Sequence, residues 1–126
     1  MEGKNILVID DESDLLEIMQ ILLQEKGYSV QVAGSAEEGI KKAKEFIPSV
    51  ILLDLMMPGV DGFEVCRQLK SQTITSKIPI VALTALGEEE ATKRAMKMGF
   101  AGYVVKPFDG EILLTSLQEA LAKQEK

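Results

Sequence analysis

The sequence contains no histidine and no tryptophan, only one cysteine, and few aromatic side chains. Without histidine, a His-liganded zinc centre, imidazole acid–base catalysis and a phosphohistidine carried by this chain are not expected. The lone Cys66 cannot close an internal disulfide, which fits a reducing cytoplasm. No apolar run is long enough to span a bilayer. The start, Met1-Glu2-Gly3-Lys4, is followed by an apolar run that stops at Asp10, too early for a signal peptide. Clustered positive charge is also missing. The 14 Lys and Arg are scattered among 20 Asp and Glu, for a net charge of −6. Direct binding to nucleic acid, which rewards a basic stripe, is therefore not expected.

What is present is an alternation of short apolar runs with longer amphipathic segments. A length of 126 residues suits one domain spanning 1–126, with its core at about 4–122. Asn5–Ile9 reads as a buried strand. Glu12–Lys26 reads as a helix with Leu15, Ile18, Met19 and Leu22 at helical spacing, stopped by Gly27. Tyr28–Ala33 alternates, with Val30 and Val32 on one side, as in a strand wet on one face near a sheet edge. Ser35 can cap the next helix, Glu38 can complete a capping box, and Pro48 lies just past the helix end. Val50–Leu53 is the most apolar run and belongs at the sheet centre. The loop Leu55–Gly62 carries turn residues. Phe63–Lys70, Glu88–Met98 and a segment capped by Asp109, with Leu113, Leu117, Ala120 and Leu121 on one face, read as helices. Ile80–Leu83 and Tyr103–Val105 read as strands. Five strands alternating with five helices predict an α/β fold, a parallel sheet covered on both faces.

In such a sheet ligands sit beyond the carboxyl ends of the strands. The first strand runs into Asp10 and Asp11, the third into Asp54, the fourth into Thr84 and the fifth into Lys106. Any one of these has a bland explanation: Asp10-Asp11 or Thr84 as helix caps, Asp54 as the first residue of a polar loop, Lys106 as a snorkelling edge residue. Together on one sheet edge they point to a site. Crowded carboxylates resist ionising together, and a hard divalent cation removes that conflict. An oxygen-only donor set suits Mg²⁺, which keeps water and shares its shell with phosphate. One carboxylate can then act as a nucleophile towards phosphorus, with the lysine offsetting charge on the transferring group.

The segments Val8-Ile9-Asp10-Asp11, Leu53-Asp54-Leu55-Met56-Met57-Pro58-Gly59-Val60-Asp61-Gly62, Leu83-Thr84-Ala85 and Val105-Lys106-Pro107-Phe108 closely resemble the receiver domains of two-component response regulators, the CheY-like group. The similarity runs over essentially the whole chain. It implies a doubly wound (βα)5 flavodoxin-like, three-layer sandwich with strand order 2-1-3-4-5. It implies that Asp54 is the phospho-acceptor and that Asp11, Asp54 and the Met56 carbonyl bind Mg²⁺ (or Mn²⁺), with Asp10 acting through the metal's water shell. Lys106 would pair with the phosphoryl group or Asp54, across a cis Lys106-Pro107 bond. Thr84 would be the switch hydroxyl and Tyr103 the aromatic that turns inward with it. Met56 and Leu86 occupy the positions that tune dephosphorylation. Both are apolar and cannot orient water, so slow self-dephosphorylation is expected.

The implied partners are a sensor histidine kinase or histidine phosphotransfer protein, and a downstream protein or output domain. The readout face would run from the fourth helix through the fifth strand to the last helix. Lys93, Arg94 and Lys97 give the fourth helix a basic side, but Phe100-Ala101-Gly102 lacks the acids that would face it in a dimer. A monomer is the default expectation, with a phosphorylation-dependent dimer as the alternative. Three rivals stand beside this reading. A phosphatase of the haloacid dehalogenase type would want an Asp where Met56 stands. A flavodoxin-like cofactor binder would want a hydroxyl- or glycine-rich loop in place of Asp10-Asp11-Glu12. A degenerate receiver would lack part of the acceptor set. Cys66 and most methionines read as packing residues, with Met56 and Met57 the more exposed.

Overall fold

A computed structural model describes residues 4–125, and side chains through residue 123. Residues 1–3 and 126 of the span read from the sequence lie outside the described residues. Among the described residues, strands β1 (Asn5–Ile9), β2 (Ser29–Ala33), β3 (Val50–Asp54), β4 (Ile80–Ala85) and β5 (Gly102–Lys106) alternate with helices α1 (Ser13–Glu25), α2 (Ala36–Phe46), α3 (Gly62–Lys70), α4 (Glu89–Met98) and α5 (Gly110–Glu125). All strand pairs are parallel, in the order β2-β1-β3-β4-β5, the doubly wound order expected from the sequence.

The strand period of two divides the core into two halves. Leu7, Ile9, Ile51, Leu53, Ile80 and Ala82 face one side, where Ala43, Val65, Leu69 and Ala95 of α2, α3 and α4 cover them. Ile6, Val8, Val50, Leu52, Val81 and Leu83 face the other, under Leu16, Met19 and Leu23 of α1 and Leu113, Leu117 and Leu121 of α5. Each fully buried Leu or Ile contributes about 1.5–3 kcal/mol, so the central strands, apolar on both faces, dominate the stabilisation. β2 lies at an edge and keeps Ser29 exposed, as its alternation suggests.

Local chemistry sets the element ends. Ser35 Oγ accepts from Glu38 N at 3.2 Å and starts α2. Glu38 reaches back to Gly34 N at 2.9 Å, one residue earlier than a capping box uses. Asp61 Oδ1 accepts from Phe63 N at 2.9 Å and caps α3, and Asp109 Oδ1 accepts from Ile112 N at 2.9 Å and caps α5. The turn after β3 closes with Val60 N donating to Met57 O at 3.1 Å, with Gly59 at φ 71° in the left-handed region.

Two packing expectations are corrected. The buried stripe of α1 is Leu16, Met19 and Leu23, whereas Ile18 is 60 % exposed. Two nearly equivalent apolar stripes run along this helix, and spacing alone does not choose between them. Met57 is buried, because the turn folds it under α3, while Met56 is exposed as expected.

Candidate functional site

Asp10 and Asp54 are built alike. They follow paired residues of adjacent strands, Ile9 of β1 and Leu53 of β3. Each spends one oxygen on its own turn: Asp10 Oδ1 accepts from Glu12 N and Asp54 Oδ1 from Met56 N, both at 2.9 Å. The local turn therefore fixes the rotamer and aims the second oxygen at a common point. Lys106, the last residue of β5, reaches that point. Its Nζ lies 2.7 Å from Asp10 Oδ2 and 3.1 Å from Asp54 Oδ2. It also donates to Glu12 Oε1 at 2.8 Å. The Lys106-Pro107 peptide bond is cis.

The electrostatics are lopsided. Carboxylate oxygens of Asp10, Glu12 and Asp54 come within 4.8 Å of one another, against the single ammonium of Lys106. Burial, joined by the charge of Asp54, pushes the Asp10 carboxyl above its ordinary range, although the Lys106 ammonium and the Glu12 backbone N–H pull the other way. Burial alone would lower the Lys106 ammonium, yet its contacts with Asp10 and Glu12, and the charge of Asp54, outweigh that and hold it above the usual lysine range. Asp10 Oδ2, though close to Lys106, lies off hydrogen-bond directions and is left buried without a hydrogen bond. A pocket with surplus negative charge and an all-oxygen donor set could hold a divalent cation.

The other residues singled out from the sequence fall as follows. Thr84 lies within β4, is 1 % exposed, and its Oγ1 has no hydrogen-bond partner. It caps nothing, so the bland reading of Thr84 as a helix cap does not hold. Tyr103 on β5 is 46 % exposed and borders a groove with Ala85, Leu86 and Lys93. Met56 and Leu86 are 50 % and 76 % exposed and bring no polar side-chain group to the pocket. Asp11 is exposed and stands outside the close trio. Glu12 takes the third place there, a residue that sequence reasoning did not select. The signal was available in the acidic run Asp10-Asp11-Glu12, but a run alone does not say which members face inward.

The chain matches the response regulator receiver domain over residues 6–118. It belongs to that family. The alkaline phosphatase synthesis transcriptional regulatory protein PhoP of Bacillus subtilis is 38 % identical to this receiver over 123 residues, covering 98 % of this chain and 50 % of PhoP. The crystal structure of a response regulator receiver domain protein from Clostridium thermocellum is similar with a TM-score of 0.89 at 31 % identity, covering 97 % of each chain. The chemotaxis protein CheY4 of Vibrio cholerae gives a TM-score of 0.86 at 32 % identity, over 93 % of this receiver and 98 % of that chain. This receiver spans about half the length of the curated relatives it matches. Among the described residues no helix is long and apolar enough to cross a membrane.

Proposed function

We propose that this receiver accepts a phosphoryl group on Asp54 from the phosphohistidine of a sensor histidine kinase or histidine phosphotransfer protein, in a Mg²⁺-dependent reaction. The observation that carries this reading is the approach of Lys106 Nζ to Asp54 Oδ2 at 3.1 Å beside a second buried carboxylate, Asp10. The Asp54 carboxylate attacks phosphorus, and the new O–P bond forms as the P–N bond to the donor's imidazole breaks. The imidazole nitrogen keeps the electron pair. Lys106 offsets charge on the equatorial oxygens. The Asp54 turn holds the attacking side chain in place, and Asp54 itself is buried at the end of a fully buried strand. Asp10, Asp11, Asp54 and the Met56 carbonyl are the groups that would hold Mg²⁺, with Mn²⁺ as a substitute. When bound, the cation would neutralise the carboxylates and draw charge from the phosphoryl oxygens.

The buried, unpartnered Thr84 hydroxyl supports a switching role, since a phosphoryl oxygen offers the acceptor it lacks. Movement of Thr84 would draw Tyr103 inward and re-form the face of α4, β5 and α5 for a downstream protein or output domain. The receiver turns over no external substrate in this reading. It works as a cytoplasmic monomer and catalyses only its own modification and slow hydrolysis, with Met56 and Leu86 giving water no orienting group.

Acetyl phosphate with Mg²⁺, followed by peptide mass spectrometry, tests the assignment. Label is expected on the peptide containing Asp54, absent in Asp54→Ala and without divalent cation. Equal labelling of Asp54→Ala would overturn the acceptor.

A further inference from the structure

Glu12 differs from the two aspartates it meets. Asp10 and Asp54 are buried, and each is tied by one oxygen to its own turn. The Glu12 side chain is 61 % exposed and forms no cap bond at the start of α1, although the residue occupies the N-cap position there. Among the described residues its carboxylate has one partner, Lys106, at 2.8 Å. An ammonium has three donor hydrogens; Lys106 directs hydrogen bonds to Glu12 and Asp54 and lies 2.7 Å from Asp10 Oδ2 as an ion pair, so its surroundings are crowded with carboxylates. A phosphoryl group on Asp54 brings further oxygens to the same ammonium. Asp10 is held by its own turn, and the Asp54 oxygen that meets Lys106 becomes the bridging oxygen of the acyl phosphate, so the phosphoryl oxygens take over its place and press on the remaining contacts. Glu12 can yield, because its exposed side chain borders an open groove lined also by Asp14, Leu15, Ile18, Lys106, Pro107 and Phe108, where its carboxylate can leave the ammonium and rehydrate.

We propose that Glu12 is an internal competitor: it occupies one donor of Lys106 in the unmodified receiver and is displaced by the dianionic group that arrives on Asp54. Glu12 is then a positioning residue acting through Lys106. Its grip on the ammonium lowers the receiver's affinity for a phosphoryl group. This rests on the function proposed above. A solvent-exposed ion pair shifts an equilibrium by up to about fivefold, so a tuning effect of about two- to fivefold is expected.

Beryllofluoride with Mg²⁺, titrated by amide chemical shifts, serves as the phosphoryl mimic. Glu12→Gln should bind it about two- to fivefold more tightly than the unaltered receiver. Asp14→Asn makes the same charge change two residues along, at a carboxylate that forms no ion pair with Lys106, and should leave the affinity unchanged. Calorimetry with Mg²⁺ alone should show Glu12→Gln binding the cation no more weakly than Asp14→Asn. An equal gain in both variants reduces the effect to net charge and overturns the inference, as does a weakened Mg²⁺ affinity confined to Glu12→Gln, which would make Glu12 a metal ligand. If the unaltered receiver takes the mimic and Glu12→Gln binds it no better, the competitor role alone falls. If none of the three takes it, the proposed function falls and the competitor role falls with it.

Discussion

Lys106 is the counter-ion for the whole pocket, so its removal should be felt by the fold before any phosphoryl chemistry is measured. Lys106→Met leaves Asp10, Glu12 and Asp54 facing one another without a cation. A charge-assisted contact of this kind is worth about 1.5–3 kcal/mol, and thermal unfolding in chelator should show a loss of that order. Adding Mg²⁺ should restore part of it, since the cation substitutes for the missing charge. No rescue would count against a metal site here. The raised ammonium of Lys106 keeps these ion pairs intact below the unfolded lysine range and loses them only above it, so neutral pH lies inside their window.

Asp10 shifts in the same direction, but its window lies on the acid side of neutrality. Its folded carboxyl ionises above the ordinary value of 3.8, with burial the leading cause. The folded state therefore holds the proton more tightly, and stability falls as pH rises from the unfolded value through the raised one. Asp10→Asn carries no such charge. In metal-free buffer its stability relative to the unaltered receiver should increase across that window and level off above it. A difference that is flat with pH would contradict the electrostatic account. At this scale the sequence was readable where a strand end dictates direction, as for Asp10, Asp54, Thr84 and Lys106. It was not readable for Glu12, because the residues just past a strand rotate with the loop, and only the fold shows which one turns to Lys106.

Two helix starts and ends test whether the elements are held as described. Gly62 opens α3 where a Cβ would lie 2.7 Å from Leu55 Cα, a backbone atom that cannot step aside. Gly62→Ala should cost roughly 1–3 kcal/mol in denaturant unfolding. It should also disturb Asp54, the neighbour of Leu55, and so weaken Mg²⁺ binding. Equal stability would show that the α3 approach is looser than this. α2 ends differently. Ile47 sits at φ 45° without being glycine, half exposed and ahead of Pro48. Ile47→Gly relieves the left-handed strain and should raise stability by about 0.5–1 kcal/mol; a loss would mean that its side-chain packing outweighs the backbone.

At the element scale the existence and kind of the strands and helices were legible, since short apolar runs alternate with longer amphipathic segments, several of them bounded by a cap or breaker such as Ser35, Asp109 or Gly27. The rotation of α1 was not. Of the expected stripe Met19 is buried and Leu15 and Leu22 pack partly against the core, while Leu16 and Leu23 are buried and Ile18 faces outward. Arg94, expected to contribute to a basic face of α4, lies 4.0 Å over the Phe63 ring and ties α4 to α3. The contact is worth roughly 0.5–1 kcal/mol. Its guanidinium is thereby committed to intramolecular packing, which further weakens the case for a charge-matched dimer on this face.

Across the whole molecule, parallel strands in doubly wound order bring residues far apart in the chain, Asp10, Asp54 and Lys106, onto one edge of one sheet. That convergence is the physical content of the resemblance to receiver domains, and it follows from alternation of elements and right-handed crossovers. In the proposed function, chemistry at this edge is coupled through Thr84 to Tyr103. Amide chemical-shift mapping with Mg²⁺ and beryllofluoride measures both ends together. Large shifts should appear around Asp54 and Lys106 and extend through Thr84 to Tyr103 and α4, and all should vanish in Asp54→Ala. Shifts confined to the pocket, or persisting without the Asp54 carboxylate, would contradict the claim.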